Sequence, residues 1–275
     1  MKVVVSTVVD KHYQDYIPLF VYALTQSYPE YYLQIFTHHP ANTEYIPAHI
    51  LTALHDINNK KVTITEGVFA DYPVKSGYEP ISWRFLVPPK HYDAYDYVYI
   101  TDIDMMIMPE KVDLAHFHLC EMGETGLCYS NSLRNSKHWM GSESFTGLHF
   151  VGKEWFDKTE TLRKAFSNQM KAGTIGSKRE FDGHMLWLMA KKSKIGLCKK
   201  YKLAGRHHGI HLGNFRLFKT MVKLRKRMGV EKCLLWQKWQ RDRLFMGLCE
   251  TASARSATVR QQLKAMDAHC KVVIK

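Results

Sequence analysis

Residues 3–9 form an unbroken apolar, β-branched run, the pattern of a strand buried on both faces. Residues 14–27 then carry apolar side chains at helical spacing, and residues 32–37 read as a second strand. Residues 43–56 predict a helix and residues 61–65 a short third strand. Residues 79–87 predict another helix, stopped by Pro88 and Pro89, and the aromatic, β-branched residues 97–101 predict a further strand. Strands alternating with helices in this way predict an α/β fold around a largely parallel sheet. Further on, residues 126–130 and 147–151 read as strands and residues 153–172 and 180–192 as helices, with a loop at 173–178 between them. Residues 195–199 predict one more strand.

The alternation ends near residue 214. Residues 216–246 interleave basic side chains with Leu, Met, Phe and Trp and hold almost no acid, which predicts one or two cationic amphipathic helices. The expected organisation is therefore an α/β domain over residues 1–213 and a helical, basic C-terminal extension over 214–275. The first apolar run is short and ends at Asp10 and Lys11, so it reads as a strand and not a signal peptide. No stretch approaches the ~18 apolar residues of a spanning helix. The expectation is a cytoplasmic chain, soluble or peripheral at the inner membrane surface.

Composition changes the picture in three respects. Hydrophobic residues make up 45% of the 275, enough for a sizeable core and against intrinsic disorder. The formal net charge of +13 favours anionic partners, whether nucleotides, nucleic acid or an acidic membrane. The six cysteines form no CxxC pair, which leaves a zinc ribbon unsupported and predicts reduced thiols.

The first chemical candidate is the pair Asp102 and Asp104 in the segment YVYITDIDMMIM. They follow a hydrophobic strand, and α/β sheets collect ligands at the carboxyl ends of their strands. Two carboxylates there offer oxygen ligands to a hard cation such as Mn2+ or Mg2+, which in turn can bridge two phosphates. Apolar flanks (Val98, Ile100, Ile103, Ile107, Met108) make the pair costly to bury without a compensating charge. A strand-ending turn with two solvated carboxylates is the plainer alternative. The second candidate is the histidine-rich loop GRHHGIHLG, residues 205–213, whose imidazoles suit a transition metal beside carboxylates and whose glycines allow close backbone approach.

The segment SWRFLVPPKHYDAYDYVYITDIDMMIM resembles the nucleotide-sugar-binding core of GT-A glycosyltransferases, most of all the retaining family 8 group. The resemblance implies a Rossmann-like nucleotide-diphospho-sugar transferase fold with a central, mostly parallel sheet. It implies Arg84 near the donor diphosphate and sugar, and Asp102 and Asp104 on the metal. It implies His211 as the third metal ligand, with His208 as the second choice. Asp10 and Tyr13 stand where the family contacts the nucleotide base and ribose, next to Thr7 and Val9; a helix-capping aspartate and a core tyrosine are the alternative. Thr101, Ile103, Gly147 and His208 complete the expected nucleotide-sugar contacts, and Asp182 is the expected contact of the transferred sugar. The chain departs from the family in three places. The asparagine expected before Gly147 is absent, Gly183 replaces a glutamine, and the histidine loop lacks the usual lysine, whose charge Arg206 or Arg216 would supply.

These readings imply transfer of a sugar from a UDP-sugar to a hydroxyl of a glycan or glycolipid, metal-dependent and retaining. The basic tail with Trp236, Trp239 and Phe245 adds contact with an anionic membrane surface. No specific nucleic-acid partner is expected, because the basic residues cluster away from the carboxylates. The rivals are an inactive nucleotide-sugar-binding scaffold and a metal-dependent nucleic-acid-processing protein.

Overall fold

The computed structural model describes residues 1–38, 46–75, 78–131, 133–134, 143–176, 181–197, 208–216 and 229–274. Strands β1 (Val3–Val9), β2 (Tyr32–Thr37), β3 (Val62–Glu66) and β4 (Tyr97–Ile100) pair in parallel in the order β3-β2-β1-β4. The chain steps outward from β1 to β3, then returns to lay β4 on the opposite side of β1. That reversal makes the carboxyl ends of β1 and β4 the topological switch point, the place where α/β sheets bind ligands. Two antiparallel strands extend the sheet beyond β4: β9 (His149–Gly152) and then β6 (Tyr129–Ser130).

The pleat of β1 feeds two cores. Val3, Val5 and Val9 face the buried helix α1 (Ile17–Ser27), whereas Val4 faces Phe36, Trp83 and Tyr92. Helix α2 (Ala48–Ile57) joins the first core and α3 (Glu79–Trp83) the second. Helix α4 (Leu114–Thr125) is capped by Asp113, whose carboxylate accepts from the backbone N–H of His116. Helix α5 (Lys153–Lys171) follows β9 directly, and α6 (Phe181–Lys192) packs on β8 (Ser144–Phe145), itself paired with β7 (Leu133–Arg134). A further two-stranded ribbon joins β5 (Met105–Met106) to β10 (Ile210–His211).

Most predicted elements appear within a few residues, with informative exceptions. Residues 14–16 form a 3-10 turn before α1. Helix α3 ends at Trp83, because residues 85 and 86 fold into tight turns on the carbonyls of Ser82 and Trp83 ahead of Pro88. Residues 195–197 are not a strand: Lys194 and Gly196 take left-handed backbone angles (φ 56° and 100°) and the chain turns there. Part of that predicted strand, at 198–199, lies outside the described residues, as do 43–45 of the second predicted helix.

The C-terminal part differs most from its sequence pattern. It contains α7 (Val230–Trp239), α8 (Arg243–Arg255) and α9 (Ala257–Val273), the last two capped by the side chains of Asp242 and Ser256. Their apolar side chains belong to the first core. Trp239 and Phe245 pack against Tyr22 of α1, at 5.8 and 4.9 Å between ring centroids. Trp236 is buried, and its indole donates to Asp267 of α9 at 2.7 Å. Tyr16 donates to the buried Gln262 at 2.5 Å. The aromatic residues that made this segment look membrane-seeking are therefore turned inward. The most basic part of the stretch, residues 217–228, lies outside the described residues. No helix among the described residues is long and apolar enough to cross a membrane.

Candidate active site

The carboxyl end of β4 carries Thr101 and then Asp102, beside the carboxyl end of β1 with Val9 and Asp10. Around Asp102 gather Arg84, just past α3, Asp182 in the first turn of α6, Gly147 from the turn before β9, and His211 of β10. These residues come from five separate stretches of the chain that meet at the carboxyl end of β4.

Arg84 is buried, and its guanidinium spans the site. Nη1 lies 2.6 Å from Asp102 Oδ1, and Nη2 lies 3.1 Å from Asp182 Oδ2 and donates to the Gly147 carbonyl at 3.3 Å. A fork of planar donors suits such a three-way grip better than an ammonium group. Gly147 has no room for a side chain: a Cβ there would sit 2.5 Å from Arg84 Nη2 and 3.4 Å from both Asp102 and Asp182.

On the other side, His211 Nε2 is 3.0 Å from Asp104 Oδ1 and 3.9 Å from Asp102 Oδ2. One ligand atom from each of Asp102, Asp104 and His211 falls within 4.8 Å of the others. Two carboxylate oxygens and an imidazole nitrogen at this spacing fit a divalent cation of the Mn2+ or Mg2+ type. The surroundings agree with that fit. Gly213 leaves open the space beside Asp104, where a Cβ would come within 2.6 Å of Oδ2. Burial raises the pKa of Asp102 above the ordinary carboxylate value; Arg84 and His211 pull against this, and Asp104 and Asp182 add to it. The three acids thus leave the site short of positive charge.

Backbone pairing sets His211 in place. In the β5–β10 ribbon Ile210 pairs with Met106 and His211 with Met105, and the Leu212 N–H donates to the Asp104 carbonyl at 2.8 Å. His208 goes elsewhere. It is buried, with ring contacts to His118, Phe117 and Tyr99, so His211 is the described histidine at the carboxylates. His207 and Arg206 lie outside the described residues, and the side chain of Arg216 is likewise not described.

The remaining predicted residues are less central. Thr7, Val9, Thr101 and Ile103 are buried, and Val9 and Ile103 belong to the first core. Asp10 closes a turn after β1: its Oδ1 accepts from the backbone N–H groups of His12 and Tyr13 at 2.9 and 3.2 Å. Tyr13 stacks on Tyr16 at 5.7 Å and packs on the first core.

Three features are not readable from the motif alone. Asn131, after β6, holds the turn that carries Gly147: its Oδ1 accepts from the N–H of Thr146 at 3.2 Å and its hydroxyl at 2.5 Å, and its Nδ2 donates to the Thr146 carbonyl at 3.1 Å. Arg163 of α5, also buried, donates to the carbonyls of Phe85 and Val87, fixing the backbone that follows Arg84. Gly183 has a packing reason: a Cβ there would collide with the Phe145 carbonyl, so α6 reaches β8 only through glycine. The place where the family carries glutamine is thus used here for helix–strand contact.

Compared by sequence, the chain matches no family model and no curated protein. Compared by structure, it is similar to the galactosyltransferase LgtC in complex with donor and acceptor sugar analogs, at 14% identity and a TM-score of 0.44, covering 71% of this chain and 72% of that one. It is similar to core-mannan synthase A from Aspergillus fumigatus in its Mn/GDP form, at 10% identity and a TM-score of 0.46, covering 69% of each chain. It is also similar to the bifunctional glycosyltransferase WbbM, at 12% identity and a TM-score of 0.47, covering 82% of this chain and 44% of that one.

Proposed function

We propose that this chain is a GT-A-type glycosyltransferase that moves a sugar from a nucleotide diphosphate donor, UDP-linked by the sequence resemblance, to an acceptor hydroxyl of a glycan or glycolipid. One observation carries the reading: Asp102, Asp104 and His211 converge on one point at the reversal of a β3-β2-β1-β4 sheet, with Arg84 and Asp182 alongside. A metal-ligand set at that switch point is what a diphosphate donor needs.

Asp102, Asp104 and His211 would hold Mn2+ or Mg2+. When bound, that ion neutralises charge on the departing diphosphate. Arg84 orients Asp102 and Asp182 and supplies fixed positive charge at the same point. Asp182 sits where a carboxylate can meet the donor sugar and stabilise positive charge developing at its anomeric carbon. Gly147 keeps the backbone low enough for the sugar to approach these acids. Asp10, whose Oδ2 has no role in the turn, and Tyr13 are the proposed contacts of the base. In the reaction the bond from the anomeric carbon to the diphosphate breaks, the bond to the acceptor oxygen forms, and the acceptor proton passes to a diphosphate oxygen. No protein nucleophile is required if both events occur on one face, which retains configuration.

Peripheral contact with an anionic membrane rests on the basic character of residues 216–228, since Trp236, Trp239 and Phe245 are buried. The nucleic-acid reading draws no support from the geometry around Asp102. A non-catalytic nucleotide-sugar-binding protein is the second reading, favoured by Gly183 where the family carries glutamine.

The test is a titration with UDP and a panel of nucleotide sugars, with and without Mn2+, repeated on Asp104→Ala, with release of free sugar or its transfer as the second readout. Mn2+-dependent UDP binding that Asp104→Ala abolishes supports the site. No UDP binding under any condition overturns the transferase. Binding without hydrolysis or transfer across the panel favours the scaffold.

A further inference from the structure

The motif reading leaves Lys232 unexplained, a basic residue of α7 that is largely buried while many basic side chains around it are exposed. Its ammonium group reaches across to the stretch after β5. There it forms an ion pair with Glu110 Oε1 and donates to the Gly209 carbonyl at 3.3 Å. The same Glu110 oxygen accepts the Gly209 N–H at 3.3 Å. Both backbone groups of one residue are therefore held by one half-buried ion pair. Gly209 lies two residues before His211 and takes a positive φ of 122°; a Cβ there would penetrate the backbone of Met106 and Met108. Its neighbour His208 accepts from Met108 N–H through its carbonyl at 3.4 Å. The β5–β10 ribbon is only two residues long on each strand, too little pairing to define its own register. Next to the clamp, the exposed pair Lys111–Glu231 at 3.7 Å joins the same two stretches and contributes little.

We infer that Glu110 and Lys232 are positioning residues for the metal ligand His211, so that α7 of the C-terminal region is a working part of the metal site. The clamp pins Gly209, Gly209 sets the register of β10, and that register holds His211 Nε2 at Asp104. This inference rests on the metal reading above. It gives the half-buried lysine a role that neither solvation nor membrane attraction explains.

The experiment uses the full-length chain and measures Mn2+ affinity directly, by the electron paramagnetic resonance signal of free Mn2+, with no donor present. Hydrogen exchange at residues 209–212 and the thermal midpoint of the metal-free protein are followed in parallel. Lys232→Met and Glu110→Gln are expected to weaken Mn2+ binding about tenfold or more and to speed exchange at 209–212. Lys232→Arg is expected to restore most of the affinity. Wild-type Mn2+ affinity in a folded Lys232→Met or Glu110→Gln overturns the inference, even if the thermal midpoint falls. If Lys232→Met fails to fold, Glu110→Gln decides the matter by the same readouts. A wild-type chain that binds no Mn2+ overturns the metal reading and this inference together, whereas wild-type binding with unaffected clamp variants overturns this inference alone.

Discussion

The two sides of the Asp102–Asp104 pair are built by different means. The arginine side is a knot of side chains: Arg84 grips Asp102, Asp182 and the Gly147 carbonyl, all within or just below the protein surface. The histidine side is a matter of backbone: a two-residue ribbon, a positive-φ glycine and a clamp on one peptide bring His211 to Asp104. The first resists small backbone shifts but fails if one charge is lost. The second tolerates changes of side chain but fails if the chain cannot approach closely.

Substitutions can break this contrast. Arg84→Gln should have the largest effect, because it strands Asp102 and Asp182 without their partner. The expected loss is about 3 kcal/mol in urea unfolding without metal, together with loss of transfer, and Arg84→Lys should restore little of either. Mn2+ affinity should stay within a few-fold of wild type. A large fall in affinity would mean that the two sides are not separable. Gly209→Ala should act the other way. The strained backbone and the collision with β5 cost about 2–3 kcal/mol, and Mn2+ affinity should drop more steeply than stability does. Equal losses in both would erase the distinction.

A pH scan sharpens the arginine side. His149 is fully buried beneath the Gly147 turn, close to Asn131, and burial lowers its pKa from 6.5 to about 3. Below pH 6.5 the unfolded chain takes up a proton that the folded chain refuses, so stability falls as pH falls. By pH 5 the loss from this group is about 2 kcal/mol, read from urea midpoints. His118, whose pKa burial also lowers, adds to the slope. His149→Gln should flatten the profile, and an unchanged slope would remove His149 from the account. The smallest effect is expected for Thr146→Val, which deletes the hydroxyl hydrogen bond to Asn131 at a cost of about 1 kcal/mol. Donor affinity should change more than stability if the Gly147 turn shifts.

What the sequence made legible follows the same line. Strands β1 to β4 and the aspartate pair are readable because each is encoded by a local run: Val3 to Val9, or YVYI followed by Asp-Ile-Asp. Arg84 and Asp182 are readable only through resemblance to a family, since nothing near them in sequence announces a partner, and the histidine-rich loop stands out by itself but only the resemblance singles out His211 within it. Asn131 and the Glu110–Lys232 pair are hidden, because their meaning is a contact with backbone far along the chain. The C-terminal pattern misleads for a related reason: alternating basic and aromatic residues suit a membrane face, yet the same aromatics suit a core, and Tyr22 of α1 selects the second. Gly183 reads only as a departure from the family's glutamine until Phe145 is seen against it.

The ribbon that joins β5 to β10 also sets a schedule for the ribosome. About a hundred residues separate Asp104 from His211, and the clamp on Gly209 waits for Lys232 later still. The nascent chain emerges with β1 to β4 able to pair among themselves, while their acidic rim still lacks its imidazole. Closing so long a loop carries an entropic cost, which the β5–β10 pairing and the Lys232 contacts of α7 help to offset. Until residues 209–232 have emerged, the paired strands carry Asp102 and Asp104 without His211 beside them.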